Sequence, residues 1–137
     1  MASYVTPKKG AAYVFYISLV SQANTKVMQA NPTLAAADFN VATDDGAPAA
    51  LGTTPVVDAD FTKRVKVSLS AAEMNGDNIT VICSDAAGDE WCDLAVNIQT
   101  TAQQIDDLAD SADVTTITTA ITAVGASEPP RRPGLWG

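Results

Sequence analysis

A chain of 137 residues suffices for one modest core with an appendage rather than two independent domains. Its 47% hydrophobic and 18% charged residues exclude the composition of a disordered protein. The net charge of −8 and the absence of histidine argue against phosphate-backbone binding and remove the usual imidazole base and metal ligand.

The longest apolar run, residues 11–20, is about half the length a bilayer-spanning helix needs. With Tyr13, Val14, Phe15, Tyr16 and Ile17 at its centre, it predicts a strand covered on both sides or buried between subunits. Lys8 and Lys9 ahead of it imitate a secretion leader, but cleavage would delete the best strand in the chain, so the segment is expected to be retained. Short strands follow at Lys26-Val27-Met28 and Phe39-Asn40-Val41-Ala42, with turns at Asn31-Pro32 and Asp44-Asp45-Gly46.

Val56-Val57 and then residues 64–69 continue the β pattern. Val65, Val67 and Leu69 share the dry face, and Arg64, Lys66 and Ser68 the wet one. Ser70 and Glu73 have the spacing of a capping box, which predicts one helical turn closed by Asn75-Gly76. Residues 79–84 and 91–98 read as two further strands, and centring the loop between them sets Cys83 opposite Cys92. About six or seven short strands at turn-punctuated spacing predict a mainly β fold over residues 1–98: an antiparallel β-sandwich, jelly-roll or Ig-like.

Residues 99–125 change rhythm to that of a helix. Residues 101–104 look like its start, Ile105 and Leu108 open an apolar stripe, and Val114, Ile117, Ile121 and Val124 continue it one residue out of phase, predicting a break near residues 111–113. Threonines at 115, 116, 118, 119 and 122 weaken a solitary helix, so these six apolar residues are assigned to an oligomerisation stem. The helix should stop at Gly125. Residues 126–137 form an extended Pro/Arg/Trp tail, in which Arg131, Arg132, Leu135 and Trp136 are the candidate partner anchor.

Charge divides along the chain: residues 1–66 hold six basic and five acidic groups, residues 67–130 eleven acidic and no basic ones, before Arg131 and Arg132. No catalytic constellation emerges, and no enzyme, cofactor or metal site is expected. The carboxylates at 44 and 45, 58 and 60, and 85, 89 and 90 lack the spacing of a calcium loop and read as turn caps. The two cysteines are too few for structural zinc and are expected as free or buried thiols.

Several phrases resemble the β-sandwich modules of fibre, appendage or decoration proteins of tailed bacteriophages. They are the stretch 16–26, Asn31-Pro32-Thr33-Leu34-Ala35-Ala36, residues 71–74, Ser84-Asp85-Ala86-Ala87-Gly88, the stretch 96–101, and Gln104-Ile105-Asp106-Asp107-Leu108. The likeness spans approximately residues 12–110. It implies a virion structural protein in which the last phrase opens a trimerising stem. Its partners would be further copies of itself and capsid or tail components, with no nucleic acid and no membrane. It would reside in the virion after assembly in the host cytoplasm. No distal receptor-reading domain follows the short stem, which shifts weight to a short fibre, adaptor or decoration component. The alternative is a carbohydrate- or receptor-binding sandwich, for which Trp91 and the tyrosines would have to be exposed.

Overall fold

A computed structural model describes residues 6–102 and 112–126, with side chains described over 6–102 and 118–126. The chain divides into two units, up to Ala102 and from Gln103. The first holds seven strands: β1 (Tyr13–Ile17), β2 (Phe39–Thr43), β3 (Ala49–Ala50), β4 (Val56–Val57), β5 (Val65–Leu69), β6 (Asn78–Cys83) and β7 (Leu94–Gln99). A 3₁₀ turn, Ala36–Asp38, leads into β2. The strands form two antiparallel sheets, β1-β5-β4 and β3-β2-β6-β7. Between them lies the predicted sandwich.

Alternation builds the core. Val65, Val67 and Leu69 of β5 are buried, while Lys66 on the opposite face is exposed. In the facing sheet the register aligns Val41, Val81 and Val96 in one row and Phe39, Cys83 and Leu94 in another. These rows meet β5, Leu19, Met74 and Trp91 in a single hydrophobic cluster. Phe39 and Trp91 stack at 5.8 Å between ring centroids at its centre.

The turns follow their residue chemistry. Asp44 adopts φ 51° and Asn31 φ 47°, the left-handed region that Asp and Asn tolerate better than most residues. The capping box forms as predicted: Glu73 Oε2 accepts from the Ser70 N–H and hydroxyl, both at 2.7 Å, and Ser70 Oγ accepts from the Glu73 N–H at 3.3 Å. Glu73 Oε1 also takes the Gly52 N–H at 2.8 Å, tying this turn to the loop after β3.

The strand order is that of an immunoglobulin-type sandwich, with β1-β5-β4 in the places of B-E-D and β3-β2-β6-β7 in those of C′-C-F-G. Residues 7–9 run parallel to the end of β7: Lys9 N–H donates to Thr101 C=O at 2.9 Å, and Thr101 N–H to Pro7 C=O at 2.8 Å. The chain then reverses through Gly10, at φ 73°, and returns as β1.

Four sequence expectations are corrected. β1 is not covered on both sides: it ends at Ile17, and Val14 and Tyr16 are 46% and 49% exposed. It stops there because the chain crosses to the other sheet, where Ser21 bridges Trp91. Lys26-Val27-Met28 is not a strand but a turn closed by the single bridge of Met28 to Val20. The last strand starts at Leu94, so Cys83 faces Leu94 and not Cys92. Thr101 belongs to the β unit through its bonds to residues 7–9, not to a helix start.

The second unit contains helix α1 (Ala112–Ala126), which runs one residue past Gly125. On it Thr122 Oγ1 donates to the Thr118 carbonyl at 2.9 Å, the back-bond that lets a threonine satisfy itself within a helix.

Candidate functional site

The long connection between β1 and β2, the β4–β5 loop and the β6–β7 loop meet at one end of the sandwich, where immunoglobulin-type folds carry their variable loops. Asn31 N–H donates to Thr62 C=O at 2.9 Å, linking the first loop to the second. Glu90 links the first to the third, with Oε1 accepting from Gln29 Nε2 and Oε2 from Thr33 N–H, each at 3.0 Å. Gln22 N–H donates to the Glu90 carbonyl at 3.0 Å, and Trp91 Nε1 to the Thr33 carbonyl at 3.4 Å.

A cleft of about 460 Å³ opens here, lined by Thr33, Ala35, Asp38, Asp85, Ala87, Gly88 and Glu90. Its carboxylates already serve the backbone. Asp38 accepts from Ala35 N–H at 2.9 Å; Asp85 accepts from Gly88 N–H at 2.9 Å and Glu90 N–H at 2.7 Å. The Glu90 N–H, followed by others of its loop, holds Asp85 below the ordinary carboxylate range. A general acid needs the opposite shift. Among the described residues no group of three His, Cys, Asp or Glu is placed to hold a metal ion.

In each of the other two acidic pairs one carboxylate caps a turn. Asp44 Oδ1 accepts from Asp77 N–H at 2.9 Å and Asn78 N–H at 3.0 Å. Asp58 Oδ1 accepts from Asp60 N–H at 2.8 Å and Phe61 N–H at 3.1 Å, while its other oxygen takes Arg64 Nε at 2.9 Å. The Arg64 guanidinium, ahead of the Asp60 N–H, holds Asp58 below its usual range, and lies 4.4 Å from the centre of the Tyr16 ring.

Trp91, which a sugar platform would need exposed, is 1% exposed and belongs to the core. Cys83 and Cys92 are free thiols, the former buried. Of the expected stem residues, Val114, Ile117, Ile121 and Val124 lie on α1 at intervals that place them on one helical face. Ile121 and Val124 are each 67% exposed. The side chains of Val114 and Ile117 lie outside the described residues, as do Ile105, Leu108, Arg131, Arg132, Leu135 and Trp136 altogether. Among the described residues no helix is long and apolar enough to cross a membrane.

Sequence reading missed the loop end. Glu90 meets Gln29 and Thr33 from some sixty positions away, and no local pattern marks such a clamp. Nor did it find Arg64 on Tyr16, although the wet-face position of Arg64 in the alternation was a partial signal.

The fold and its loops define a module of the immunoglobulin-type β-sandwich class, in a chain that also carries a helix with Ile121 and Val124 exposed. Neither protein-family models, nor curated proteins, nor solved structures yield a match to this chain.

Proposed function

We propose that the protein is a self-associating structural component of a tailed-bacteriophage particle, a short fibre, adaptor or decoration protein whose copies gather in threes through the C-terminal helix. The observation that carries the reading is the exposure of Ile121 and Val124, each 67%, on a helix rich in threonine. A 15-residue helix of this composition is marginal alone in water. Packing the stripe against the same stripe on other copies removes apolar surface from water at about 25 cal/mol per Å², which offsets the cost of ordering the helix.

The copy number follows from side-chain shape. Val114, Ile117, Ile121 and Val124 are all β-branched, and β-branched residues at both core positions of a heptad favour three or more strands over two. The particle setting is drawn from the bacteriophage-like phrases of residues 16–26, 31–36, 84–88 and 96–108. The β unit would present a repeated face whose weak contacts multiply by avidity.

Light scattering on the full chain tests this. The expected native mass is that of a trimer, falling to a monomer in an Ile117→Asp/Ile121→Asp variant with an intact β spectrum. A wild-type monomer, or a variant of unchanged mass, defeats the reading.

A further inference from the structure

Among the described residues β1 is an edge strand, paired on one side only. In the constant-type immunoglobulin sandwich an A strand lies next to B. Here the segment that precedes β1, residues 7–9, is bonded to the end of β7 instead, and β1 pairs with β5 alone among the described residues. Alternate N–H and C=O groups of Tyr13–Ile17 therefore point away from the sheet.

The other sheet edges carry the protections natural sandwiches use. β3 and β4 are two residues long. β7 is bridged at both ends, where Cys92 N–H donates to Val20 C=O at 2.8 Å and Thr101 N–H to Pro7 C=O at 2.8 Å. Pro7, lacking an N–H, cannot extend that ladder toward Gln99. β1 has none of these: it is five residues long, with no proline, charge or bulge, and it exposes Val14 and Tyr16.

We propose that β1 pairs antiparallel with β1 of a second copy, completing a continuous six-stranded sheet across a two-fold axis. Centred on Phe15, that register sets Val14 against Tyr16 of the other copy and Tyr13 against Ile17, aromatic and β-branched pairs that stabilise adjacent strands.

Charge selects this edge for contact between like copies. Each copy carries −8, so copies meet most readily where acid is absent, and no charged residue occurs from position 10 to 25. The cations beside it are Lys66, opposite Tyr16 in the adjacent strand, and Arg64, which lies over the Tyr16 ring with its charge paired to Asp58. Lys66 of the two copies would lie at least three strand spacings apart, about 14 Å, beyond the screening length at physiological salt.

Area defines the setting. A seam of five residues per copy covers on the order of a few hundred Å² per partner, below the roughly 800 Å² that a stable interface requires. It therefore acts on copies already concentrated by another contact, and in this respect it rests on the self-association proposed above. A two-fold seam cannot close within a threefold stem, so it joins one stem assembly to the next and turns trimers into a network.

The test is a dilution series of the full chain, read by light scattering and by hydrogen exchange over Tyr13–Ile17. Species larger than the stem assembly are expected at high concentration, with β1 amides gaining protection as they form. Val14→Lys/Tyr16→Lys, both changes at exposed positions, should raise the concentration needed for those species at least about tenfold. It should leave the stem mass unchanged, and Tyr16→Phe, which keeps the ring under Arg64, should leave both the association and the unfolding midpoint in place.

In an Ile117→Asp/Ile121→Asp background a weak monomer–dimer equilibrium should survive and be abolished by the two lysines. This separates failure of the seam from failure of the stem. Protection of β1 that does not vary with concentration would mean that a segment of the same chain fills the place, and would overturn the proposal. Association unaffected by the lysines, or absent in the stem variant at every concentration, would overturn it equally.

Discussion

The two units of this chain solve opposite problems. The β unit closes on itself: nine of its side chains, from Trp91 to Cys83, are less than 2% exposed, and among the described residues no buried side-chain polar atom lacks a hydrogen bond. The helix leaves Ile121 and Val124 two-thirds exposed. Most apolar residues of the β strands face the shared core, whereas these two on the helix face outward. The same residue types serve folding where they alternate with period two across facing sheets, and under the proposed function they serve association where they recur along the helix.

The comparison breaks most completely at Phe39. Phe39→Ala removes the ring that stacks on Trp91 and is expected to cost about 3–5 kcal/mol of β-unit stability in denaturant titrations. If the two units are energetically separate, association by the helix should survive at temperatures where the variant stays folded.

Alkali probes the same core. Burial pushes the Cys83 thiol from 9.0 up to about 11. The unfolded chain then releases its proton first, so the contribution is fully present below pH 9 and is lost as pH rises through about 11, a fall of roughly 2–3 kcal/mol. Unfolding measured between those values should decline more steeply than in Cys83→Ala. At pH 8 a thiol reagent should label Cys92 and spare Cys83 until the protein unfolds.

On the helix the expected effect is smaller and opposite in kind. Ile121→Ala, truncating a side chain that is exposed in one copy, should weaken association by about 1–2 kcal/mol per copy and leave the β-unit midpoint in place. A shifted midpoint would show that this isoleucine serves its own fold.

The smallest change tests the capping turn. Burial pushes Glu73 up, but the N–H groups of Gly52 and Ser70 and the Ser70 hydroxyl outweigh it and hold the carboxyl below its ordinary range. Glu73→Ala should cost about 1 kcal/mol. The part of that stability due to ionisation is present above the unfolded pKa and disappears as pH falls through the folded one.

How much of this was legible depended on the distance over which each feature is written. Val65, Val67 and Leu69 alternate within one strand, and the Ser70 and Glu73 pair spans one turn, so both were readable and both formed. Cover on both sides of β1 within the chain was wrongly expected because an uncharged run has no period to reveal which side is wet. Val14 and Tyr16 lie on the outer face of the alternation, and the crossing at Ser18 to Ser21 is fixed by bridges to Met28 and Trp91 that are distant from β1 in sequence. β3, two alanines, carries no strand signal and is made by its pairing with Asn40 and Val41. The cross-strand position of Cys83 failed because centring a loop assumes two strands of matched ends, whereas Asp85 and Glu90 fold the intervening residues into a clasp that delays β7 to Leu94.

That clasp has a consequence for change over time. In antibodies the loops at this end of the sandwich vary independently, each hung from its own pair of strands. Here a single carboxylate, Glu90, is shared with Gln29 and Thr33, so a new length or composition in one loop unseats the other. Diversity at this end must arrive as coordinated exchanges, and any library built on this scaffold will need to hold those three positions constant while varying the tip around Ala87.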